Sequence, residues 1–349
     1  MSITIKQIAD LANVSRATVD KVIHSRPGVK EKTKLKVLKI IKEVNYQPNI
    51  IGKALVSSKK AKKFGVILTP EYNPFVHELL QGIQKANDDF SPFGVEIETK
   101  MLTTLEPAEQ ISILNDFSYR GFTGIAVFPL NDTQVIMRIN QIIQSGIAVV
   151  TFNSRVDGIN DLCFVGQNHY KGGRTAAELL NKLVPPKSKV CVIISSKKLS
   201  CHTERLQGFR DKLAECSSSL QIVDIQENQD RKEDAFKIAL NNYNKYPDLA
   251  GIYISGGGVD GIGSALEFVG AAKKIKVVCH DLTPDSCKLL KSGAVDFVLD
   301  QNPYEQGYQI LKILFDDLIM NLQPESHFFE IPITITSEEL IPSNWPDAG

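Results

Sequence analysis

From Phe64 onward, short apolar runs alternate with longer stretches of helical periodicity, and this alternation limits the possible folds more than any other feature. The apolar runs are FGVILT, VEIETKM, GIAVFP, AVVTFN, KVCVIIS, LQIVDI, AGIYIS, KIKVVCHD and VDFVLDQNP. Amphipathic stretches of roughly 10–15 residues separate them, as expected for βαβ units that build parallel sheets. Because nine such strands are too many for one sheet of this kind, we predict two lobes of about equal size.

The order of these runs also predicts where the chain passes between the lobes. We expect the first lobe to comprise about residues 64–164 plus 302–326, and the second about 165–299 plus 327–340. The segment VDFVLDQNP and the helix after it come late enough in the chain to cross back between lobes. The predicted fold class is therefore α/β, with a two-lobed and mostly parallel-sheet body over residues 64–340.

The first part of the chain lacks this alternation and is predicted to be helical. Apolar residues at helical spacing indicate three helices, of which the third, about residues 31–44, is expected to turn Leu35, Leu38, Ile41 and Val44 inward. A proline in the sequence YQPN ends this helix, because proline disfavours the α conformation in the residue before it. We predict an all-α head over residues 1–48, followed by a hinge helix and linker over residues 49–63.

The net charge of zero conceals a strong asymmetry between the two ends of the chain. Residues 1–63 hold 15 lysines and arginines against four acids, a net charge of +11, and the remainder carries −11. A basic head on an acidic body is typical of a polyanion-binding module fused to a domain that does not bind polyanions. A solvated, lysine-rich helix is the alternative.

The composition excludes several classes of protein. The apolar runs stay far below the roughly 18 residues needed to span a bilayer, and charged residues interrupt any signal-peptide core. The six cysteines form no CxxC pair and the six histidines show no HExxH spacing, so neither a disulfide framework nor a zinc site is expected. We predict a cytoplasmic protein without a metal ion, a cofactor or a membrane partner.

A helix-turn-helix unit lies at the start of the head. A short helix is followed by a tight turn at Asn13 and by a second helix that Ser15 caps. Helical spacing turns Val19 and Val22 inward. The cap residues and the outward-facing residues are assigned to DNA contact: Thr4, Ser15, Arg16, Ala17, Thr18, Asp20, Lys21 and His24. A small helical bundle without a ligand is the alternative, which the charge of the head makes weaker.

Two side chains near the start of the second helix are suited to base edges. Arg16 can bond N7 and O6 of a guanine bidentately, and Ala17 can touch a thymine methyl group. The residues better placed for phosphate are Thr18, Lys21 and His24. Asp20 lies four residues after Arg16 on the same face. We hypothesise that Asp20 orients Arg16 or accepts from a cytosine amino group, the alternative being a solvent-facing acid with no role.

Four segments of the head carry a family pattern. They are Thr4-Ile5-Lys6-Gln7-Ile8-Ala9, Val14-Ser15-Arg16-Ala17-Thr18-Val19, Pro27-Gly28-Val29 and Tyr46-Gln47-Pro48-Asn49. With these segments, residues 3–58 resemble the DNA-binding head of the lactose-repressor (LacI/GalR-type) family of bacterial transcription regulators. Members of that family more often carry Ser-Arg where Asp20 and Lys21 stand here.

The resemblance implies a hinge helix that folds on DNA and pairs with the hinge helix of a second chain. In this family a leucine from each hinge helix wedges into the minor groove, and the matching residue is Leu55. Asn49, Gly52 and Lys53 are assigned to the same contact. Glycine destabilises a short helix by ~1 kcal/mol, so Gly52 is expected to leave the hinge helix less formed away from DNA.

The body carries further family-like segments, each just past the end of an expected strand or entering a helix. They are PEYNPF (70–75), FNSR (152–155), VGQN with GR (165–174), RLQGF (205–209), HDLTP (280–284) and DQNPYEQG (300–307). These resemble the family's effector domain, which is similar to the type I periplasmic sugar-binding proteins. The resemblance covers nearly all of the chain to about residue 340.

The resemblance also implies a ligand site between the lobes, where open α/β sheets bind ligands beyond the carboxyl ends of their strands. The residues assigned to the effector are Asn73, Phe75, Asn153 and Arg155 in the first lobe, Arg205, Gly258 and Asp281 in the second, and Gln301 at the crossover. Phe75 is expected to stack on a ring while the polar side chains fix hydroxyl groups. The alternative is that these residues only cap helices or tie turns.

The sequence GGGVDG at residues 256–261 matches G-x-G-x-x-G after a strand and could indicate a dinucleotide site. The motif falls on a late βαβ unit, whereas the dinucleotide fingerprint normally opens the first unit of a domain. We favour a glycine-rich loop at the rim of the cleft, with Gly258 near the ligand. No G-x-S-x-G or Walker A sequence is present, so an enzyme is not expected.

Together these features predict a ligand-responsive DNA-binding transcriptional regulator, and the resemblance implies a repressor. One head contacts only a half-site, so we expect a homodimer, or a tetramer, on a double-stranded, pseudo-palindromic operator. The predicted effector is a sugar, sugar acid, sugar phosphate or polyol. Two alternatives remain open: an NAD-dependent dehydrogenase-like enzyme, and a constitutive DNA-binding protein whose body only dimerises.

Overall fold

The computed structural model describes residues 5–23, 28–43, 61–71, 74–216 and 220–342. The head contains three helices, α1 (Ile5–Ala12), α2 (Arg16–Ile23) and α3 (Glu31–Glu43). Several residues assigned to DNA or effector contact lie outside the described residues, namely Thr4, His24, Asn49, Gly52, Lys53, Leu55 and Asn73. Their assignments remain predictions.

The three head helices enclose a small apolar core, built from Ile8, Ala9, Ala12, Val19, Val22 and Val37. The cap of α2 forms as predicted, because Thr18 N donates to Ser15 Oγ at 3.1 Å. The expected inward face of α3 is wrong at Leu35 and Leu38, which are 61% and 41% exposed, whereas Val37 is buried. Ile41 packs against the head core as predicted, and Val44 lies outside the described residues. Apolar residues occupy two overlapping stripes of this helix, and periodicity alone does not choose between them.

The body contains two six-stranded sheets, one in each lobe. The first has the order β11-β5-β4-β3-β1-β2 and is parallel throughout. Its strands are β1 (Lys62–Leu68), β2 (Val95–Met101), β3 (Gly124–Val127), β4 (Ala148–Phe152), β5 (Cys163–Gly166) and β11 (Phe328–Glu330).

The second sheet has the order β12-β10-β9-β8-β6-β7, and only β12 runs antiparallel to its neighbour. Its strands are β6 (Lys189–Ile194), β7 (Gln221–Glu227), β8 (Leu249–Ile254), β9 (Lys276–His280), β10 (Phe297–Asp300) and β12 (Thr334–Thr336). Alternate residues of β6 enter apolar cores on opposite faces of this sheet. This explains why the strand is a continuous apolar run.

Helices cover both faces of each sheet. Those of the first lobe are α4 (Phe75–Phe90), α5 (Pro107–Tyr119), α6 (Thr133–Gln144) and α12 (Pro303–Phe315). Those of the second lobe are α7 (His169–Leu183), α8 (Ser200–Glu215), α9 (Lys232–Lys245), α10 (Val259–Phe268) and α11 (Pro284–Ser292). The predicted two-lobed α/β body is confirmed. Among the described helices, none combines the length and the apolar character needed to cross a membrane.

The chain crosses between the lobes three times: after β5, after β10, and between β11 and β12. Residues 327–340 were expected in the second lobe, but Phe328 pairs with Phe164 in the first sheet. The third crossover therefore falls between Glu330 and Thr334. The three-residue β11 adds an edge to β5, and a run this short carries no periodicity from which its sheet could be predicted.

The helices α7 and α8 approach so closely that their backbones touch at two glycines. A Cβ atom added at Gly173 would lie 1.8 Å from the carbonyl oxygen of Arg205, and one at Gly208 would lie 2.0 Å from that of Tyr170. Gly82 and Gly307 form the equivalent contact between α4 and α12. The position of α8 along α7 is thus fixed by main-chain contact rather than by side chains that could repack.

Candidate functional site

A small cavity of roughly 20 Å³ lies between the lobes, where the carboxyl ends of several strands meet the start of α8. It is lined by Thr69, Phe75, Phe128, Asn153, Leu199, Cys201, His202, Arg205, Asp230, Asp281 and Gln301. Five of these residues were assigned to the effector from the sequence: Phe75, Asn153, Arg205, Asp281 and Gln301. The cavity is far smaller than the roughly 300 Å³ of a typical ligand site, so a sugar requires the lobes to separate before it can enter.

Gln301 joins the polar groups of the cavity into one network. Asn153 Nδ2, from the end of β4, donates to Gln301 Oε1 at 3.0 Å. Arg205 Nη2, from α8, donates to the same oxygen at 3.1 Å. Gln301 Nε2 in turn donates to Asp281 Oδ1 at 2.6 Å. A side chain at the second crossover thereby links both lobes and the helix α8.

Four residues at the cleft adopt left-handed backbone conformations, although none is glycine. Their φ angles are 57° at Asn153, 57° at Asp230, 69° at Asp281 and 46° at Asn302. Asn and Asp tolerate this region better than other residues, but each such conformation still costs of order 1 kcal/mol. Strain of this kind concentrates at functional sites, and here all four residues follow strands that end at the cleft.

Arg205 is a buried cation, with 1% of its surface exposed. Its Nη1 donates to the carbonyl oxygen of Ser255 at 2.7 Å, and its Nη2 to Gln301. Within the described parts of the chain, its Nε meets no acceptor. A buried N–H without an acceptor is costly by itself and gives a ligand oxygen a ready donor.

Two carboxyl groups share the field of Arg205. Burial raises the pKa of Asp281 to about 6, although Arg205 and the hydrogen bond from Gln301 oppose the rise. Burial also raises the pKa of Asp230, and again Arg205 opposes the rise. Near neutral pH the cavity therefore sets one guanidinium beside two acidic side chains, of which Asp281 is largely ionised, an arrangement suited to hydroxyl groups that both donate and accept.

Three histidines surround the same guanidinium. Burial, followed by the positive charge of Arg205, lowers the pKa of His202 to about 3. The same causes lower the pKa of His169 and His280 well below the usual range. All three imidazoles are neutral at pH 7, so they add no positive charge that would attract a phosphate.

The exposed face of α2 matches the face assigned to DNA. Arg16, Ala17 and Lys21 are exposed, while Val19 and Val22 are buried. Thr18 and Asp20 are half-buried. Ser15 caps α2, because its hydroxyl oxygen accepts a hydrogen bond from the amide of Thr18 at the start of the helix.

The head and the body each match a known family. Residues 4–49 match bacterial regulatory proteins of the lacI family, and residues 64–319 match the periplasmic binding protein domain. By its body the chain belongs to the periplasmic binding protein domain family, and its head is a domain of the lacI type. The resemblance inferred from the sequence is confirmed in both parts of this LacI-type chain.

Individual relatives match either a short stretch of the chain or most of its length. Catabolite control protein A of Priestia megaterium is 42% identical over 84 residues, which cover 24% of this chain and 25% of that protein. The D-allose-binding periplasmic protein of Escherichia coli (strain K12) is 23% identical over 286 residues, 78% of this chain and 89% of that protein. The structure of GanP, a glucose-galactose binding protein from Geobacillus stearothermophilus, matches with a TM-score of 0.73 and 22% identity, covering 81% of this chain and 100% of that one.

Two residues assigned to the effector lie away from the central cavity of this LacI-type chain. Arg155 is exposed and lines a separate surface cavity of roughly 350 Å³ together with Asp161 and His327. Gly258 is buried just before α10, where its φ of 88° disfavours any residue with a side chain. A Cβ atom added there would also lie 2.6 Å from Asn228 Nδ2. Gly258 is therefore a structural glycine in this structure.

The glycine-rich loop is occupied by protein groups rather than left open for phosphate. Gly257 N donates to Asp230 Oδ1 at 2.6 Å, and Asn228 Nδ2 donates to the Gly257 carbonyl oxygen at 2.7 Å. A dinucleotide site would place a pyrophosphate at the start of the following helix, where the carboxylate of Asp230 would repel it. The arrangement argues against the dehydrogenase-like alternative.

Several residues of the cavity were not assigned from the sequence. Thr69, Phe128 and Asp230 lie just beyond β1, β3 and β7, so the strand-end rule that selected Asn153 also applies to them. Others, Leu199, Cys201 and His202, surround the start of α8. No pattern in the sequence marks these three, because their position depends on how the second lobe meets the first.

Proposed function

We propose that this LacI-type chain is a DNA-binding regulator that binds a pseudo-palindromic operator as a dimer and responds to an uncharged sugar or polyol. The observation that carries the proposal is the shared cavity, in which Asn153, Arg205 and Asp281 from both lobes meet at Gln301. A ligand that bonds to all of them gains affinity only when the lobes are together, so binding shifts the lobe equilibrium.

The charge of the cavity supports an uncharged effector. One guanidinium faces two carboxyl groups, and the histidines beside it are neutral. A phosphate or carboxylate ligand would bring a further negative charge toward Asp230 and Asp281. The names of the relatives also point to sugars, since they bind D-allose and glucose or galactose.

Control of DNA follows from linkage between the two sites. Effector binding changes the angle between the lobes and thereby the separation of the paired hinge segments around Leu55. Operator affinity then changes by a coupling free energy of typically ~1–3 kcal/mol. We propose repression as the output, with each head contacting one half-site through the exposed face of α2.

The decisive experiment is a selection of bound DNA sequences from a random pool with the full-length chain, repeated with and without single sugars. Thermal shift against neutral sugars and their phosphates first identifies the active sugar. We expect a two-fold symmetric site whose recovery depends on one neutral sugar. Recovery of no symmetric site would rule out the operator, and a phosphorylated sugar binding more tightly than its parent would rule out the uncharged effector.

The pH dependence of sugar affinity should report on Asp281. The ligand hydroxyls donate to its carboxylate, which lowers its pKa in the complex from about 6 in the free protein. Affinity should therefore be constant above pH 6 and fall by up to about tenfold per pH unit below it. Isothermal titration calorimetry between pH 5 and 8 measures this, with Asp281→Asn expected to be weaker and flat. Unchanged wild-type affinity at pH 5 would contradict the role of Asp281.

Asp20→Ser is expected to change which base is preferred at one position of each half-site. If Asp20 orients Arg16 or bonds a cytosine, its loss alters base discrimination by ~1–3 kcal/mol. Binding-site selection with the variant measures this. Lys21→Ala is the control, because loss of a phosphate contact should weaken all sequences alike and lower the salt dependence. Higher affinity for every sequence, with the same preference, would leave Asp20 without a part in base recognition.

A further inference from the structure

A short segment of the second lobe enters the apolar core of the first. Leu199 and Cys201, at the start of α8, are buried among the core residues of the first lobe. The first turn of α8 therefore belongs to the second lobe by connectivity and to the first by packing.

The start of α8 is capped by the other lobe. Leu199, at the cap position, provides no side-chain acceptor. Instead, the backbone N–H groups of Ser200 and Cys201 donate to Ser154 Oγ, at 2.9 Å and 3.4 Å. Ser154 is buried and follows β4 of the first lobe. A helix of one lobe is thus capped by a hydroxyl of the other.

The two serine hydroxyls complete one another's hydrogen bonds. Ser200 Oγ donates to the carbonyl oxygen of Arg155. The 2.7 Å contact between Ser154 Oγ and Ser200 Oγ then has Ser154 as its donor. Each hydroxyl donates once, and Ser154 Oγ still accepts from the helix. While the lobes are together, these buried groups satisfy one another across the lobe boundary.

The residue before this turn adds contacts at the open edge of the cleft. Lys198 Nζ donates to Glu106 Oε1 at 2.8 Å and to the carbonyl oxygen of Leu105 at 3.1 Å. The amide of Asn131 donates to the carbonyl oxygen of Lys198 at 2.9 Å. The ion pair is exposed and contributes little by itself. Glu106 and Lys198 follow β2 and β6, which lie toward the sheet edges opposite the strands that lead into the crossovers.

We propose that Ser154, Lys198 and Ser200 form an interlobe latch, in which the first lobe caps α8 in trans and so determines how readily the cleft opens. Because α8 also carries Arg205, separating the lobes removes the cap from the helix that holds the ligand-binding guanidinium. Only the effect of the latch on DNA binding rests on the proposed function. The opening and closing of the lobes can be measured without sugar or operator DNA. Ser154 acts as a positioning residue, since it lies outside the cavity lining.

Hydrogen exchange of the full-length chain, without sugar or DNA, tests the latch. In Ser154→Ala, the amides of Ser200 and Cys201 lose their acceptor, and loss of an N-cap changes an equilibrium by about 2- to 30-fold. Mass spectrometry should show the peptide over residues 199–206 exchanging faster by that factor. Ser145→Ala is the matched control, because its hydroxyl donates to Ile142 within the first lobe, and it should leave this peptide unchanged.

Equal exchange of that peptide in wild type and Ser154→Ala, or equal acceleration of every peptide, would overturn the latch. If Ser154→Ala does not fold, Ser200→Ala replaces it, because it removes the hydroxyl that bonds Ser154 and the carbonyl oxygen of Arg155. Loss of these hydrogen bonds should accelerate the same peptide by about 2- to 12-fold, and no acceleration would again overturn the latch. The two proposals can fail separately. If Ser154→Ala exchanges faster but the wild type binds no sugar in the thermal-shift panel, the latch stands and the proposed effector is refuted.

Discussion

Arg205→Ala is expected to raise the dissociation constant for the effector sugar by at least about 100-fold. The variant removes the buried donor at the cavity and the positive charge that acts on Asp230 and Asp281, and a hydrogen bond from a charged group contributes roughly 1.5–3 kcal/mol. Isothermal titration calorimetry with the sugar identified by thermal shift measures the loss. Circular dichroism and DNA binding establish that the variant is folded.

Arg210→Ala is the matched control, because Arg210 is exposed on the same helix. It should bind the sugar as the wild type does. Arg205→Lys should fall between the two, since lysine keeps the charge but lacks the planar fork that reaches Ser255 and Gln301 together. If a folded Arg205→Ala chain binds the sugar with wild-type affinity, the effector site is not the cavity around Arg205.

Gly173→Ala is expected to destabilise the body by at least about 3 kcal/mol, and Gly172→Ala to stabilise it by up to about 1 kcal/mol. The two glycines are neighbours in α7 and differ in what a Cβ would meet. At Gly173 it would lie 1.8 Å from the carbonyl oxygen of Arg205, whereas at Gly172 the nearest atom, in His280, is 3.5 Å away. A backbone carbonyl oxygen cannot relieve the clash by changing rotamer, as a side chain can.

Urea unfolding of the full-length chain, followed by circular dichroism, compares the midpoints of the body transition. Each substitution adds the same methyl group to the same helix, so differences in helix propensity cancel. Opposite shifts of the midpoint are the expected result. Equal shifts for the two variants would show that the contact between α7 and α8 is looser than the backbone distances indicate. Weaker sugar binding by Gly173→Ala would follow from the displacement of Arg205.

The fold was largely predictable, because strands buried on both faces leave continuous apolar runs. The nine runs noted in the sequence all overlap strands of the structure. Three strands were not predicted from the sequence: β5, with four residues, and β11 and β12, with three residues each. A segment this short is defined by the neighbour with which it pairs, and that neighbour is known only from the three-dimensional arrangement.

The site was less predictable, because a residue's distance from a strand end does not give the direction of its side chain. Asn153 and Arg155 are two residues apart after β4, yet only Asn153 lines the cavity. Asp230 follows the edge strand β7 and reaches the cavity through a loop. In the head, Val37 rather than Leu35 faces inward, since the position of α1 and α2 selects the buried stripe of α3.

The paired glycines have a mechanical consequence for the whole body. In each lobe, a helix that begins at or near the cavity is in main-chain contact with a neighbour, α8 with α7 and α12 with α4. Such pairs leave no room for one helix to slide along the other. A change at the cavity cannot be absorbed within a lobe and must appear as rotation about the three crossovers. Each lobe therefore moves as a stiff unit, and under the proposed function this stiffness would let a small ligand act on a distant DNA-binding head.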